Sequence, residues 1–499
     1  MKKSKLIYAA SLGLLVTLGA CKKELDQFPF NQIETGQSFV AVKDAKAWDN
    51  GLYASLRGRL YGTFMFTQDV QADQLNATAD YGNRNGNPHR WGQSFLADDG
   101  AITSAWQSYY SAINNANIAI AGYDNIPTTT PAEKAEMDRY RGDAYLLRAY
   151  YYHELLLRFA KPYSPSTAAT DIGVPLVLVY DLNAKPVRAT VKAVYDQILL
   201  DIAQARTFLA GVAGTQGATR FNIQVVNSLE ARVKLHMQDW PGARTAAEAV
   251  ITSNVYPLIT SAAELNAMWK NDFGKEVIFR SAVSAPNELP NTNVIYLGLI
   301  PATGRFTPDF VPSQWVIDAY GPTDLRKDVY FERKTLTIQG ATYNNIWLVN
   351  KYPGNPALFT GANTNYAHAP IMFRVAEMYL ISAEAGVRAG AATEAAALSR
   401  LNNLRTARGL LPVVAAGPAL FDAVKEERFR ELAFEGFRLW DLKRWNEGFM
   451  RRLPQNSSLI ITGPNFDQLT IAASDPKFVW GLPTRDLTTN PNLVQNPGW

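Results

Sequence analysis

Apolar residues recur at three- and four-residue spacing through much of this chain, and no other feature limits its fold as strongly. In residues 132–159, Met137, Tyr140, Ala144, Leu147, Tyr151 and Leu155 keep that spacing, which sets them on one face of a helix. Residues 103–124 carry a matching stripe in Trp106, Tyr109, Ile113, Ala116 and Ile120. Val191, Val194, Ile198, Ile202 and Leu209 mark a third helix. A helix with one apolar face buries it against another element, so these segments predict helices packed on one another.

The pairing becomes more specific downstream. Residues 222–238 read as a helix, Asp239-Trp240-Pro241-Gly242 as a turn, and residues 243–253 as a second helix. Ala243, small and just past the turn, lets two antiparallel helices approach closely, a pattern similar to a tetratricopeptide repeat. Residues 372–389 and 393–408 form another Ala-rich pair, and residues 421–434 and 437–445 a last one. The repeats are degenerate and far apart. The predicted fold is therefore mostly α: a degenerate tetratricopeptide scaffold with a loop-rich ligand-binding region, not a regular solenoid. Gly211, Gly214 and Gly217 read as a linker at a helix end. Long irregular stretches fall at 77–99, 281–309 and 339–369, the last reading as short strands and loops around Trp347. Loops of this length in a compact protein usually bind something.

The N-terminus predicts a destination. Lys2, Lys3 and Lys5 precede an apolar run over residues 6–18, and Leu18-Gly19-Ala20 leads into Cys21. A basic start, a short apolar core and small residues before a cleavage site describe a secretory signal. A cysteine directly after that site resembles a bacterial lipobox, so the expected product begins at a lipidated Cys21. The run is too short to span a bilayer, which takes about 20 residues. Removing the three lysines leaves 46 basic residues of the original 49 against 45 acidic ones, a net charge of +1. No long Lys/Arg run remains, which excludes an electrostatic footprint for nucleic acid. Cys21 is the only cysteine, so disulfides contribute nothing and stability must come from packing.

Glu427, Glu431 and Glu435 lie four apart. Like charges at that spacing repel, so neighbouring helices must supply cations; Arg374, Arg405, Arg408 and Arg438 are the candidates. Paired catalytic carboxylates would instead need a cleft and diverging pKa values. A repeat scaffold offers neither, and no enzymatic activity is expected. Asp98-Asp99 reads as a helix N-terminal signal. His89, His153, His236 and His368 have no metal-ligand spacing, and no phosphate-cradling loop or nucleophile elbow is present. No metal or cofactor is expected.

Binding chemistry concentrates in residues 77–99, with Tyr81, Arg84, Asn87, His89, Arg90 and Trp91. A sugar ring has apolar C–H faces and a hydroxyl rim, so its site needs a flat aromatic and planar polar groups at the edge. Trp91 and Tyr81 are candidate platforms; Arg84 and Asn87 could bracket hydroxyls. The plainer alternative is that Trp91 anchors the loop to the scaffold.

The C-terminal third carries a family pattern. Phe373-Arg374-Val375-Ala376-Glu377-Met378-Tyr379-Leu380 leads into Ala383-Glu384-Ala385. Glu427-Arg428-Phe429-Arg430-Glu431-Leu432-Ala433-Phe434-Glu435-Gly436 is followed by Arg438, Asp441-Leu442 and Arg444-Trp445, and the chain closes on Asn490-Pro491-Asn492-Leu493-Val494-Gln495-Asn496-Pro497-Gly498. With Cys21 and Leu25-Asp26, these resemble the SusD/RagB family of outer-membrane lipoproteins. The resemblance implies residues 1–20 as signal peptide, 21–30 as lipid anchor and tether, and 31–499 as the SusD-like domain. It implies a non-enzymatic, cell-surface protein that caps a SusC-like TonB-dependent transporter as a hinged lid and captures oligosaccharides, or in some members peptides. It further implies ligand contacts in the 77–99 loop and in a later segment holding Tyr296, Phe306 and Trp315. Trp315 opens Trp315-Val316-Ile317-Asp318-Ala319-Tyr320, which looks like a packed helix, so Tyr296 and Phe306 are favoured over it. A protein-binding tetratricopeptide adaptor and a secreted hydrolase are the readings from other classes.

Overall fold

The computed structural model describes residues 38–499; the signal segment, Cys21 and the whole tether, residues 21–30, lie outside the described residues. The helices follow the apolar periodicity. The elements used below are α1 (Val42–Arg57), α2 (Thr63–Gln71), β1 (Leu75–Ala77), α3 (Gly86–Arg90), α4 (Gly100–Tyr123), α5 (Pro131–Phe159), α6 (Val191–Leu209), α7 (Ile223–His236), α8 (Trp240–Ile251), β2 (Val277–Arg280), β3 (Phe310–Pro312), β4 (Phe331–Ile338), β5 (Ala341–Val349), β6 (Ile371–Arg374), α9 (Val375–Arg388), α10 (Ala391–Ala407), α11 (Gly417–Glu431) and α12 (Arg438–Trp445).

Local chemistry sets where the helices begin. Asp99 caps α4, its Oδ1 accepting from the Ala101 N–H at 3.0 Å, so the Asp98-Asp99 pair does mark a helix start. Thr130 and Glu133 form a reciprocal capping box ahead of α5, with Pro131 in its first turn, an arrangement that satisfies two otherwise orphaned N–H groups. Residues 239–242 depart from expectation. Instead of a separate turn, Asp239 caps α8 by accepting from Gly242 N–H at 3.0 Å, and Trp240 already belongs to the helix. Asp-Trp-Pro-Gly has turn composition, but Asp at the cap and Pro in the first turn also start a helix. Ala243 is fully buried. Close approach recurs between α9 and α10, where a Cβ on Gly386 would sit 2.9 Å from the Ala397 Cβ.

One large apolar core runs through α1 and the helices from α4 to α9, with residues such as Leu56, Tyr109, Leu147, Leu155, Ile198, Val250 and Met378 buried in it. Each such side chain contributes about 1.5–3 kcal/mol on burial. A second core underlies the loop-rich half and is strongly aromatic, with Tyr61, Phe66, Trp269, Tyr296, Phe310, Tyr330, Tyr352 and Phe434. The sheets are small. β4 and β5 form an antiparallel hairpin, β2 pairs with β6, and β1 pairs antiparallel with β3, Leu75 opposite Pro312 and Ala77 opposite Phe310.

Where the two halves meet lies a buried ionic lattice built on the expected glutamates. Glu427 and Glu431 lie on α11, and Glu435 follows in the turn beyond it. Glu431 receives Arg408 at 2.8 Å, Arg326 at 2.9 Å and also Arg374. Glu427 meets Arg326 at 2.7 Å, Arg430 at 2.8 Å and Arg405 at 3.0 Å. Glu435 is gripped by Arg374, through Nε at 2.9 Å and a second nitrogen at 2.7 Å, and by Lys351 at 2.7 Å. Arg408 also reaches Glu276 at 2.9 Å. Burial pushes the Glu431 carboxyl up, but Arg408, Arg374 and Arg326 outweigh it and hold the group well below the usual carboxylate range. Three of the four expected arginines serve the stripe. The fourth, Arg438, instead forms a two-bond pair with Asp73, at 2.7 and 3.0 Å. Arg326, Arg430 and Lys351 supply the cations that were not among the candidates.

Candidate ligand-binding groove

The β1–β3 ladder decides what can meet. It lays the loop after β1 beside the segment before β3, although the two are more than two hundred residues apart in sequence. The join is reinforced where Thr78 Oγ1 donates to Pro308 O at 2.7 Å and the Thr78 N–H donates to Asp309 O at 2.9 Å. Between these segments and the start of α2 opens a groove of about 790 Å³, within the usual range for small-ligand sites.

The groove has an apolar wall and a polar rim. Phe66, Val294, Ile295 and Leu299 form the wall; Asn85, Asn291, Thr292, Thr307, Arg84 and Asp309 supply polar groups. Asn83 and Asn85 hold left-handed backbone (φ +58° and +56°), a conformation that asparagine tolerates better than most residues. That lets the chain turn tightly into α3 at the groove edge. Asn291 is steadied by donating from Nδ2 to Gly58 O at 2.8 Å. Among the described residues nothing bonds the side chains of Asn85, Thr292 or Thr307, which leaves an amide and two hydroxyls free to serve a ligand.

The expected site residues divide sharply. Arg84 lines the groove, 60% exposed, paired through Nε with Asp309 Oδ2 at 2.8 Å. Asn87 stands behind the rim, half-buried between Asp99 at 3.2 Å and Arg90 at 2.9 Å. Tyr81 is buried and its hydroxyl is held by Arg90. His89 is fully buried, Nδ1 against Val70 O at 2.9 Å and Nε2 against Arg451 at 3.1 Å. Burial, then Arg451, pushes its pKa well down, so the ring is neutral.

Trp91, expected as a candidate platform, is a core residue. It is 6% exposed, donates from Nε1 to Gln71 O at 2.7 Å, and packs edge-on against Phe478 and Phe449 with centroids 4.9 and 5.6 Å away. No open ring face remains for a sugar, and the plainer alternative, a loop anchor, describes its position. Tyr296 is likewise buried, stacked near Tyr352 and donating to Asp69 Oδ2 at 3.2 Å. Burial, only partly offset by that bond and by the Gly436 N–H, pushes Asp69 up to about 8. Phe306 is half-buried opposite Leu299 in a small ladder, with Lys334 Nζ 5.2 Å from its ring. It is not among the residues that line the groove. Trp315 sits in a short helix, Gln314–Asp318, with Phe429 stacked 4.8 Å away and the Arg452 guanidinium 4.8 Å from its centroid, so it packs as its sequence pattern suggested. Phe66, Asn85, Asn291, Thr292, Thr307 and Asp309 line the groove and were missed as individual residues, although all but Phe66 fall inside the two loops singled out.

Among the described residues no helix is long and apolar enough to cross a membrane. Two family models match the chain: one described as the SusD family over residues 310–499, and one described as starch-binding, associating with the outer membrane, over residues 37–235. A curated relative, SusD-like protein P38 of Formosa agariphila, is 26% identical over 557 aligned residues that cover 99% of each chain. Among solved structures, a SusD superfamily protein from Bacteroides thetaiotaomicron aligns with a TM-score of 0.78 at 24% identity, covering 92% of this chain and all of that one. A putative sugar binding protein from Bacteroides vulgatus aligns at 0.76 and 24% identity over 93% and 99%. A protein titled a laminarin binding SusD-like protein aligns at 0.70 and 19% over 92% and 100%. At these identities the solved structures speak for the fold.

Proposed function

We propose, from the premise that this chain belongs to the SusD/RagB family, that it is a cell-surface lipoprotein that captures oligosaccharides in the groove between its two long loops and passes them to a partner TonB-dependent transporter. The observation that carries the reading is the groove itself, an apolar wall faced by free amide and hydroxyl groups. An apolar wall suits the C–H face of a sugar ring, and planar or hydroxyl groups at its edge suit the hydroxyl rim. The names of a sugar-binding and a laminarin-binding structural neighbour support the same ligand class. Cys21 is the proposed anchor, and residues 21–30 the tether that lets the domain swing over the transporter. The description of one matching family, associating with the outer membrane, supports that placement.

Binding of neutral and charged oligosaccharides to the detergent-solubilised full chain, read by calorimetry, tests the ligand. Asn85→Ala and Asn291→Ala should each weaken a bound glycan by about three- to tenfold, the worth of one lost hydrogen bond. Affinity confined to peptides would replace the ligand class, and glycan affinity untouched by both changes would move the site. Release from the membrane in Cys21→Ala checks the anchor.

A further inference from the structure

We infer that the groove takes an uncharged oligosaccharide and rejects chains bearing uronate or sulfate; this rests on the glycan reading above. Of the residues that line the groove, only Arg84 and Asp309 are ionised, and they cancel. Arg84 Nε donates to Asp309 Oδ2 at 2.8 Å, and a second guanidinium nitrogen meets Oδ1. This is the two-bond arrangement through which arginine recognises a free carboxylate. The edge of the guanidinium that would receive a uronate or sulfate is therefore already occupied by the protein's own carboxylate.

Displacing that carboxylate is costly in a specific way. The Asp309 side chain is 8% exposed, whereas Arg84 is 60% exposed. An anionic ligand that drew Arg84 away would leave a buried carboxylate without its partner, and a buried polar group stripped of its partner carries its full desolvation cost. Among the described residues no second cation lines the groove. Arg90, the nearest other arginine on the loop, is engaged with Asn83 at 2.6 Å and Asn87 at 2.9 Å and does not line the groove. Beyond the pair, what the groove offers is neutral, the Asn85 amide and the hydroxyls of Thr292 and Thr307, while the remaining guanidinium nitrogen of Arg84, which none of the described residues engages, adds one donor. These suit ring hydroxyls. The pair thus acts as a fixed dipolar clamp rather than as an anion receptor.

The test is an array of neutral glucans, oligouronates and sulfated galactans probed with the full chain at about 50 and about 500 mM salt, since exposed charge attraction is screened over that range. The wild type should retain neutral chains only, with affinity changing less than about twofold between the two salts. Asp309→Asn should free Arg84 and add affinity for anionic chains of about tenfold or more, lost again at high salt. A wild type that prefers uronate or sulfate, or whose binding collapses with salt, overturns the inference while leaving the glycan reading standing. Silence across all three classes removes both. Should Asp309→Asn fail to fold, the wild-type comparison at two salts decides alone.

Discussion

Arg374→Met tests whether the ionic lattice holds the two halves together. The side chain is 2% exposed and forms four bonds, to Glu435 Oε1 and Oε2, to Glu431 Oε1 and to the Glu431 backbone carbonyl. Methionine keeps much of the length and removes the charge. Glu431 then retains Arg408 and Arg326, but Glu435 retains only Lys351. Removing one partner of a buried pair costs about 3–5 kcal/mol, because the other charge stays desolvated. An unfolding entropy of about 2.1 cal/mol/K per residue over roughly 460 residues is about 1 kcal/mol/K, so the melting temperature should fall by about 3–5 °C. Differential scanning calorimetry at neutral pH reads this directly. The pH dependence has a defined sign. Burial raises the carboxyls of Glu431 and Glu435, but the surrounding cations overcome it and hold both below their ordinary value of 4.5. Their pairing stabilises the fold above that value and is lost as pH falls through the depressed one, so the gap between wild type and variant should be full at pH 7 and close only in strong acid. A melting temperature within about 1 °C of wild type at pH 7 would mean that the lattice is solvent-screened and contributes nothing.

Two further changes separate packing from binding. Trp91→Ala should cost about 3–5 kcal/mol of stability and leave glycan affinity unchanged, since its ring is spent on Phe478 and Phe449; lost affinity with an unmoved melting temperature would make it a platform after all. Asp69→Asn removes a carboxyl that burial has raised from an ordinary 3.8 to about 8. The neutral form in the fold is stable in acid, and its cost grows as pH rises from about 4 to about 8. The variant's melting advantage should therefore be absent at pH 4 and largest above pH 8, and a constant difference across that range would refute the assignment.

The helices were legible because period 3.6 survives in the sequence wherever one face is buried. The range 132–159 falls within a residue of the helix Pro131–Phe159 for that reason, and the five residues that mark a third helix all lie in Val191–Leu209. The start of α8 was not, because its capping residues are also turn residues. The glutamate stripe announced its need for cations, and Arg374, Arg405 and Arg408 answer it. Arg326 and Lys351 are invisible in advance because they arrive through long-range packing around the aromatic core. The site was legible as two loops but not as side chains. A polar, Gly/Asn-rich loop says nothing about which way its tryptophan turns, and Trp91 turns inward. Asp309 could not be paired with Arg84 before the β1–β3 register was known.

That register has a consequence for how such a site can change. Three residue pairs between Leu75–Ala77 and Phe310–Pro312 fix the span between the two rims, and beyond the ladder the rims are loops with only short elements in them, α3 on one side and the Leu299–Phe306 pairing on the other. Closing a longer loop costs little, about 0.6 kcal/mol for each doubling of length. Away from the contacts that tie them together, Thr78 to Pro308 and Arg84 to Asp309, either rim can thus grow or shrink without shifting the ladder that spaces them. Span and chemistry are set by separate parts of the chain, so the reach of the groove can stay constant while its recognition surface is rewritten.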